Sequence, residues 1–231
     1  MWNVERRLAY TSLWVLALAF GWIEASIVVY LRELYTREML VHGGAFPGFQ
    51  VTLVTLPNNL VALEMAREAC TIVLLGAAGW LAGRGTVDRA GAFLILFGVW
   101  DLAYYGVLKL IASWPESLST WDILFLIPAP WVAPVWTPML VATLFIAAGT
   151  ILFSTPERDR RYRWTDIAAL AVSALLIIGA FLVESSAAID HRVPERFPVW
   201  LFLAGVALGS GCFLRVEGRG LRRPSVVHQS G

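Results

Sequence analysis

Residues 90–112 read AGAFLILFGVWDLAYYGVLKLIA, an apolar run interrupted by two ionisable side chains, Asp101 and Lys109. A helix of about 20 apolar residues crosses the hydrocarbon core of a bilayer, so this stretch is long enough to span one. Five other stretches share its character. The predicted spans are 8–32, 60–83, 90–112, 131–153, 165–186 and 197–215. Composition agrees, since 58% of the 231 residues are hydrophobic and only 15% charged, too little polar surface for a soluble domain of this size. The expected fold is therefore all-α: a polytopic integral membrane helical bundle of six transmembrane helices. No polar stretch is long enough to fold separately, so residues 1–231 read as a single transmembrane domain in contact with the lipid bilayer.

One region breaks the pattern. From Trp121 to Phe153 the apolar run is 33 residues, about 50 Å as a helix against a core of about 30 Å. Pro128, Pro130, Pro134 and Pro138 must interrupt it, because each lacks an amide donor and disfavours helix at the preceding residue. The reading is a short interfacial or re-entrant helix near 119–127, capped by Ser119 and Thr120, followed by the span from Trp131. The longest predicted loop, 33–59, contains His42 and a strand-like alternation over 49–55, and is expected to cap the outer mouth of the bundle.

Orientation follows from the cations. Arg6, Arg7, Arg84, Arg89, Arg158, Arg160, Arg161, Arg163, Arg215, Arg219, Arg222 and Arg223 fall on one side of the predicted spans, against Arg32, Arg37, Arg192 and Arg196 on the other. The positive-inside rule then puts both termini in the cytoplasm, with the chain a multi-pass protein of the inner membrane. The first span follows Arg6 and Arg7 as a signal peptide would, but its apolar run continues to Tyr30 without a convincing cleavage site, which favours an uncleaved anchor. Arg158–Arg163 reads as a polybasic segment suited to anionic lipid. Trp114, Trp121, Trp131 and Trp200 lie at span edges, where indole rings concentrate.

Several function classes have no support. A net charge of +1 and the lack of any nucleic-acid motif argue against nucleic acid as a partner. His42, His191 and His228 all lie outside the spans, so bis-His haem has no ligands within the bundle. Cys70 and Cys212 show no metal or redox spacing. Asp190-His191 is half a catalytic dyad at most, since adjacent residues point apart.

The candidate site consists of charges that a membrane helix should not carry. Glu24, Glu64, Arg67, Glu68 and Asp101 are the candidates for chemistry, with Tyr105, Lys109 and Asp122 as candidate binding groups. Ionisable side chains at membrane depth cost several kcal/mol and normally face a bundle interior or a wet cavity. Glu64, Arg67, Glu68 and Thr71 share one helical stripe; Asp101, Tyr105 and Lys109 share another. Predicted topology places all of them toward the extracytoplasmic side. Arg67 is expected to pair with Glu64 or Glu24, and Lys109 with Asp101 or Asp122, leaving three carboxylates in excess. Protons, a divalent cation or a cationic small molecule would relieve that excess; an oxygen-only ligand set suits Ca²⁺, Mg²⁺ or Mn²⁺, and Tyr104 and Tyr105 beside carboxylates would also serve acid–base chemistry. Three readings follow: an outward-facing site that binds a cation or small molecule or acts on a lipid or small substrate, a small proton-coupled transporter or channel, and an accessory subunit of a membrane complex or homo-oligomer. Ala17-Gly21-Ala25, Gly79-Gly83 and Gly205-Gly209 are small-residue ladders suited to close helix contact.

Overall fold

The structure, a computed structural model, describes residues 4–42, 58–155, 162–190 and 194–221. The strand-like stretch 49–55 with its expected capping role, Arg158, Arg160 and Arg161 of the polybasic segment, His191 and His228 lie outside the described residues. The elements are α1 (Val4–His42), α2 (Asn58–Ala82), α3 (Thr86–Ala112), β1 (Trp121–Ile123), β2 (Val132–Pro134), α4 (Trp136–Ser154), α5 (Trp164–Leu182), α6 (Ser185–Ile189) and α7 (Val199–Leu221). Helix dominates, as the all-α reading requires. Five helical stretches among the described residues are long and apolar enough to cross a membrane: Val4–Glu33 of α1, then α3, α4, Trp164–Ile189 and Val199–Arg219. The predicted second span is also a continuous helix, α2, but Glu64, Arg67 and Glu68 crowd its first half and it is not among the five.

Two compact units are present. The first comprises residues 1–154 and 181–197, the second 155–180 and 198–231. In the first, α3 is the central helix and packs against α1, α2 and α4. Small residues set these approaches. A Cβ on Gly21 of α1 would lie 2.6 Å from that of Ala103 on α3, and Ala17 and Ala25 on the same face are fully buried. Where α3 crosses α4, a Cβ on Gly98 would lie 2.5 Å from the Ala142 carbonyl oxygen, and one on Gly149 would lie 2.7 Å from that of Gly91. Without side chains at these points the backbones can touch, which is how membrane helices gain contact when lipid offers the same apolar environment. Leu13, Ala17, Leu75, Ala92, Ile95, Leu96, Val99, Trp100 and Phe153 fill the space among these helices.

Two expectations need correction. Residues 119–127 do not form a helix: β1 pairs antiparallel with β2, in the register Trp121 with Pro134, Asp122 with Ala133 and Ile123 with Val132. Leu124 N–H donates to the Trp131 carbonyl (2.8 Å), Trp131 N–H to that of Phe125 (2.7 Å) and Val135 N–H to that of Thr120 (2.9 Å), so pairing extends beyond the strands. The prolines explain it. A helix over 121–127 would be too short to hold itself together, and Pro128 and Pro130 prevent its extension, whereas a hairpin puts both at the tip, where no amide is needed. Pro134 is tolerated because a two-stranded sheet consists of edges. The following helix consequently starts at Trp136 rather than Trp131. The second correction concerns residues 33–42, expected in a loop but helical as the end of α1. Neither Gly nor Pro occurs there before Gly43, so nothing in the sequence breaks the helix.

The second unit holds most of α5 together with α7. Gly205 lets α7 settle onto α5, where Ser173 donates to its carbonyl at 2.8 Å. Asp166, fully buried in the first turn of α5, receives guanidinium hydrogen bonds from Arg215 (2.7 Å) and Arg219 of α7.

Candidate functional site

Arg67 joins two helices. Its Nε–H donates to Glu64 Oε2 at 2.9 Å and a second N–H reaches Glu64 Oε1, while Nη1 donates to Glu24 on α1. Thr71, one turn further along α2, donates to the other Glu24 oxygen at 3.4 Å. The expectation that Arg67 would choose between Glu64 and Glu24 resolves into both. Glu24 is buried, and the Arg67 side chain keeps 22% of its surface exposed, so the pair sits at the edge of the packed interior.

Glu68 lies next on the same stripe. It is buried and accepts the Leu126 backbone N–H at 2.8 Å, which ties α2 to the tip of the hairpin. On the hairpin itself, both Asp122 oxygens are engaged: Oδ2 accepts the Tyr105 hydroxyl from α3 at 2.7 Å and Oδ1 accepts the Ile123 N–H at 2.8 Å. The β conformation makes this possible, because alternation turns Asp122 toward α3 between Trp121 and Ile123. Asp101, one turn before Tyr105, is half-buried and makes no hydrogen bond or ion pair among the described residues. It lies within electrostatic range of Asp122, and Tyr104 beside it is in range of Asp122, Glu24 and Asp101 together. Glu24 and Glu64 thus gather at Arg67 with Glu68 on the same stripe, Asp122 meets Tyr105, and the Glu68 bond to Leu126 links α2 to the hairpin that carries Asp122.

Lys109 does not join these acids. Its ammonium donates to the carbonyls of Ser113 (3.4 Å) and Pro115 (2.8 Å) rather than to Asp101 or Asp122. The cause is local: Lys109 lies in the last turn of α3, Ser113 closes that helix in a left-handed conformation (φ 54°), and the freed carbonyls and the negative end of the helix dipole attract a cation. Another cation, unforeseen from sequence, stands nearby. The Arg32 guanidinium lies 4.3 Å from the Trp114 ring centroid, and Trp114 stacks on Tyr105 at 6.1 Å. Aromatic faces therefore border the carboxylates.

A second polar layer closes the opposite end of this unit. Arg6 grips Asp88 with two guanidinium nitrogens, donates to the Phe153 carbonyl at the end of α4, and lies 3.5 Å from the Phe153 ring centroid. Arg84 N–H adds a 2.9 Å bond to Asp88. Sequence reasoning gave Arg6 and Arg84 only a topological role. The available signal was Asp88 itself, an acid in the first turn of a span, where a helix N-terminus favours it. Arg6 and Glu24 are eighteen residues apart on α1, about 27 Å at 1.5 Å per residue, close to the thickness of a bilayer core of about 30 Å. Between the two polar layers lies the apolar packing of Leu13, Ala17, Leu75, Ile95, Leu96 and Val99.

No three carboxylate, His or Cys side chains are gathered closely enough to hold a metal ion among the described residues. What these acids offer instead is a set of largely buried carboxylates, Glu24, Glu68 and Asp122 among them, with Tyr105 and Trp114 beside Asp122. Comparison with protein-family models, with curated proteins and with solved structures finds no match for this chain.

Proposed function

We propose that this protein is a multi-pass inner-membrane protein with six spans and both termini in the cytoplasm, and that its extracytoplasmic carboxylate cluster binds a cationic small molecule or the cationic end of a lipid. The observation that carries the reading is the charge balance around Arg67. Five carboxylates, Glu24, Glu64, Glu68, Asp101 and Asp122, outnumber the arginines beside them, Arg67, which two of them already share, and Arg32 over Trp114, while Lys109 is committed elsewhere and Asp101 has no partner among the described residues. Carboxylates held this way in low dielectric favour an incoming positive charge or retain protons. Neighbouring aromatic faces suit an organic cation, as the Arg32 guanidinium over Trp114 already illustrates. The scattered ligand set suits a compact divalent ion less well, because such an ion needs several oxygens converging at about 2.0–2.6 Å.

The apolar layer favours binding from one side over passage. A transport path would have to pass the packed apolar side chains of Leu13, Ala17, Ile95, Leu96 and Val99. A thermal-shift series on the purified chain tests the proposal, with tetramethylammonium, ethylammonium and guanidinium set beside Ca²⁺, Mg²⁺ and Mn²⁺. A ligand at a hundred times its dissociation constant stabilises by about 2.7 kcal/mol. The organic cations are expected to raise the melting midpoint of the wild type and to lose that effect in Asp101→Asn and Glu24→Gln. Shifts that survive both substitutions, or no shift with any cation, would refute the site.

A further inference from the structure

We infer that the Asp166, Arg215 and Arg219 group in the second unit is a binding site for the phosphate of an anionic lipid headgroup, with Asp166 as the positioning residue. One fully buried carboxylate holds two guanidiniums side by side: Arg215 donates to Oδ1 at 2.7 Å, Arg219 to Oδ2, and Arg163 N–H also donates to Oδ2 at 3.0 Å. Each arginine gives Asp166 a bond from Nη2 only, and the Arg215 side chain remains 58% exposed. A guanidinium carries five N–H donors in a planar fork that matches phosphate oxygens, so most of this donor set is left over. Two positive charges against one negative leave the trio cationic.

Its position fits a membrane surface. Asp166 stands at the first turn of apolar α5 and Arg215 and Arg219 in the last turns of α7, so the pair marks one end of both helices. Trp164, 78% exposed at the same end, is the residue type that anchors at headgroup level. Flanking sequence strengthens the field: residues 157–166 and 215–223 hold eight arginines against the four acids Glu157, Asp159, Asp166 and Glu217. Glu217, the other acid on α7, is buried.

The test separates an oriented fork from simple charge attraction. Phosphatidylglycerol retained by the purified full chain in detergent is read by native mass spectrometry, with phosphatidylcholine as the control. Wild type is expected to keep phosphatidylglycerol selectively. Arg215→Lys preserves the charge but not the fork, and is expected to weaken retention about fivefold, the equivalent of about 1 kcal/mol, the scale of one basic residue at a membrane surface. Asp166→Asn makes the region more positive, yet is expected to weaken retention because the arginines lose their alignment. Unchanged or stronger retention in a folded Asp166→Asn variant would overturn the inference. If that variant does not fold, unchanged retention in Arg215→Lys would overturn it. Displacement of the lipid by millimolar inorganic phosphate as readily as by added phosphatidylglycerol would also overturn it, since the site would then be one for soluble phosphate.

Discussion

At the scale of single residues, Arg67 and Lys109 show how neighbours decide the part a charge plays. Both looked like counter-charges for the carboxylates, yet only Arg67 makes that contact; Lys109 serves the end of its own helix. Removing Arg67 leaves Glu24 and Glu64 facing each other at the edge of the interior, and breaking a buried ion pair from one side typically costs a few kcal/mol. Arg67→Met is therefore expected to destabilise the fold by about 3 kcal/mol, whereas Lys109→Gln costs about 1 kcal/mol or less, the scale of a cation at a helix C-terminus. Thermal unfolding of both variants in detergent checks the contrast, and equal effects would contradict the assignment. Tyr105→Phe makes a sharper probe. It leaves the stacking on Trp114 in place but removes the Tyr105 hydroxyl bond to Asp122 Oδ2, so a loss of about 1 kcal/mol, the scale of one hydrogen bond, is expected.

At the scale of elements, the hairpin and the glycine crossings carry the architecture. Asp122 reaches Tyr105 and Leu126 reaches Glu68 because residues 121–134 pair as strands; a helix there would have spent those backbone groups internally. The four prolines were readable and correctly announced a break, but whether the broken segment would lie flat or pair with the chain beyond it depends on residues 131–135 returning alongside. Periodicity within one short segment cannot report that. The glycine ladders on α1 and α7 were legible as spacing, whereas the α3–α4 crossing at Gly91, Gly98 and Gly149 was not, its two halves being separated by about fifty residues. Gly98→Val should force the crossing apart at a cost of about 1–3 kcal/mol. Gly106→Val on the same helix, where nothing lies within 4 Å of a Cβ, should be tolerated. Comparing the two midpoints checks that close approach, and not helix propensity, is what matters.

At the scale of the whole molecule, the first unit has a polar layer at each end and an apolar layer between, matching the dimensions of a bilayer. With the proposed orientation, Ser117 before the hairpin faces the cell exterior and Gly85 between α2 and α3 faces the cytoplasm. Both are exposed. In a background lacking Cys70 and Cys212, Ser117→Cys is expected to react with a membrane-impermeant maleimide on intact cells and Gly85→Cys only after lysis. The reverse pattern would invert the topology and put the acidic cluster on the cytoplasmic side.

The sequence by itself determined that the chain is mostly helical, with stretches long and apolar enough to cross a membrane, and which charges interrupt them, because apolar run length is a local property. Helical spacing also put Glu64, Arg67 and Glu68 on one stripe before any contact was known. Only the tertiary structure decided that Arg67 bridges Glu24 and Glu64, that Asp122 belongs to a hairpin and answers Tyr105, that Arg6 locks Asp88, and that Asp166 holds Arg215 and Arg219. A carboxylate's partner is set by which distant helix face arrives within about 3 Å of it, and that distance is fixed by the packing of many side chains at once.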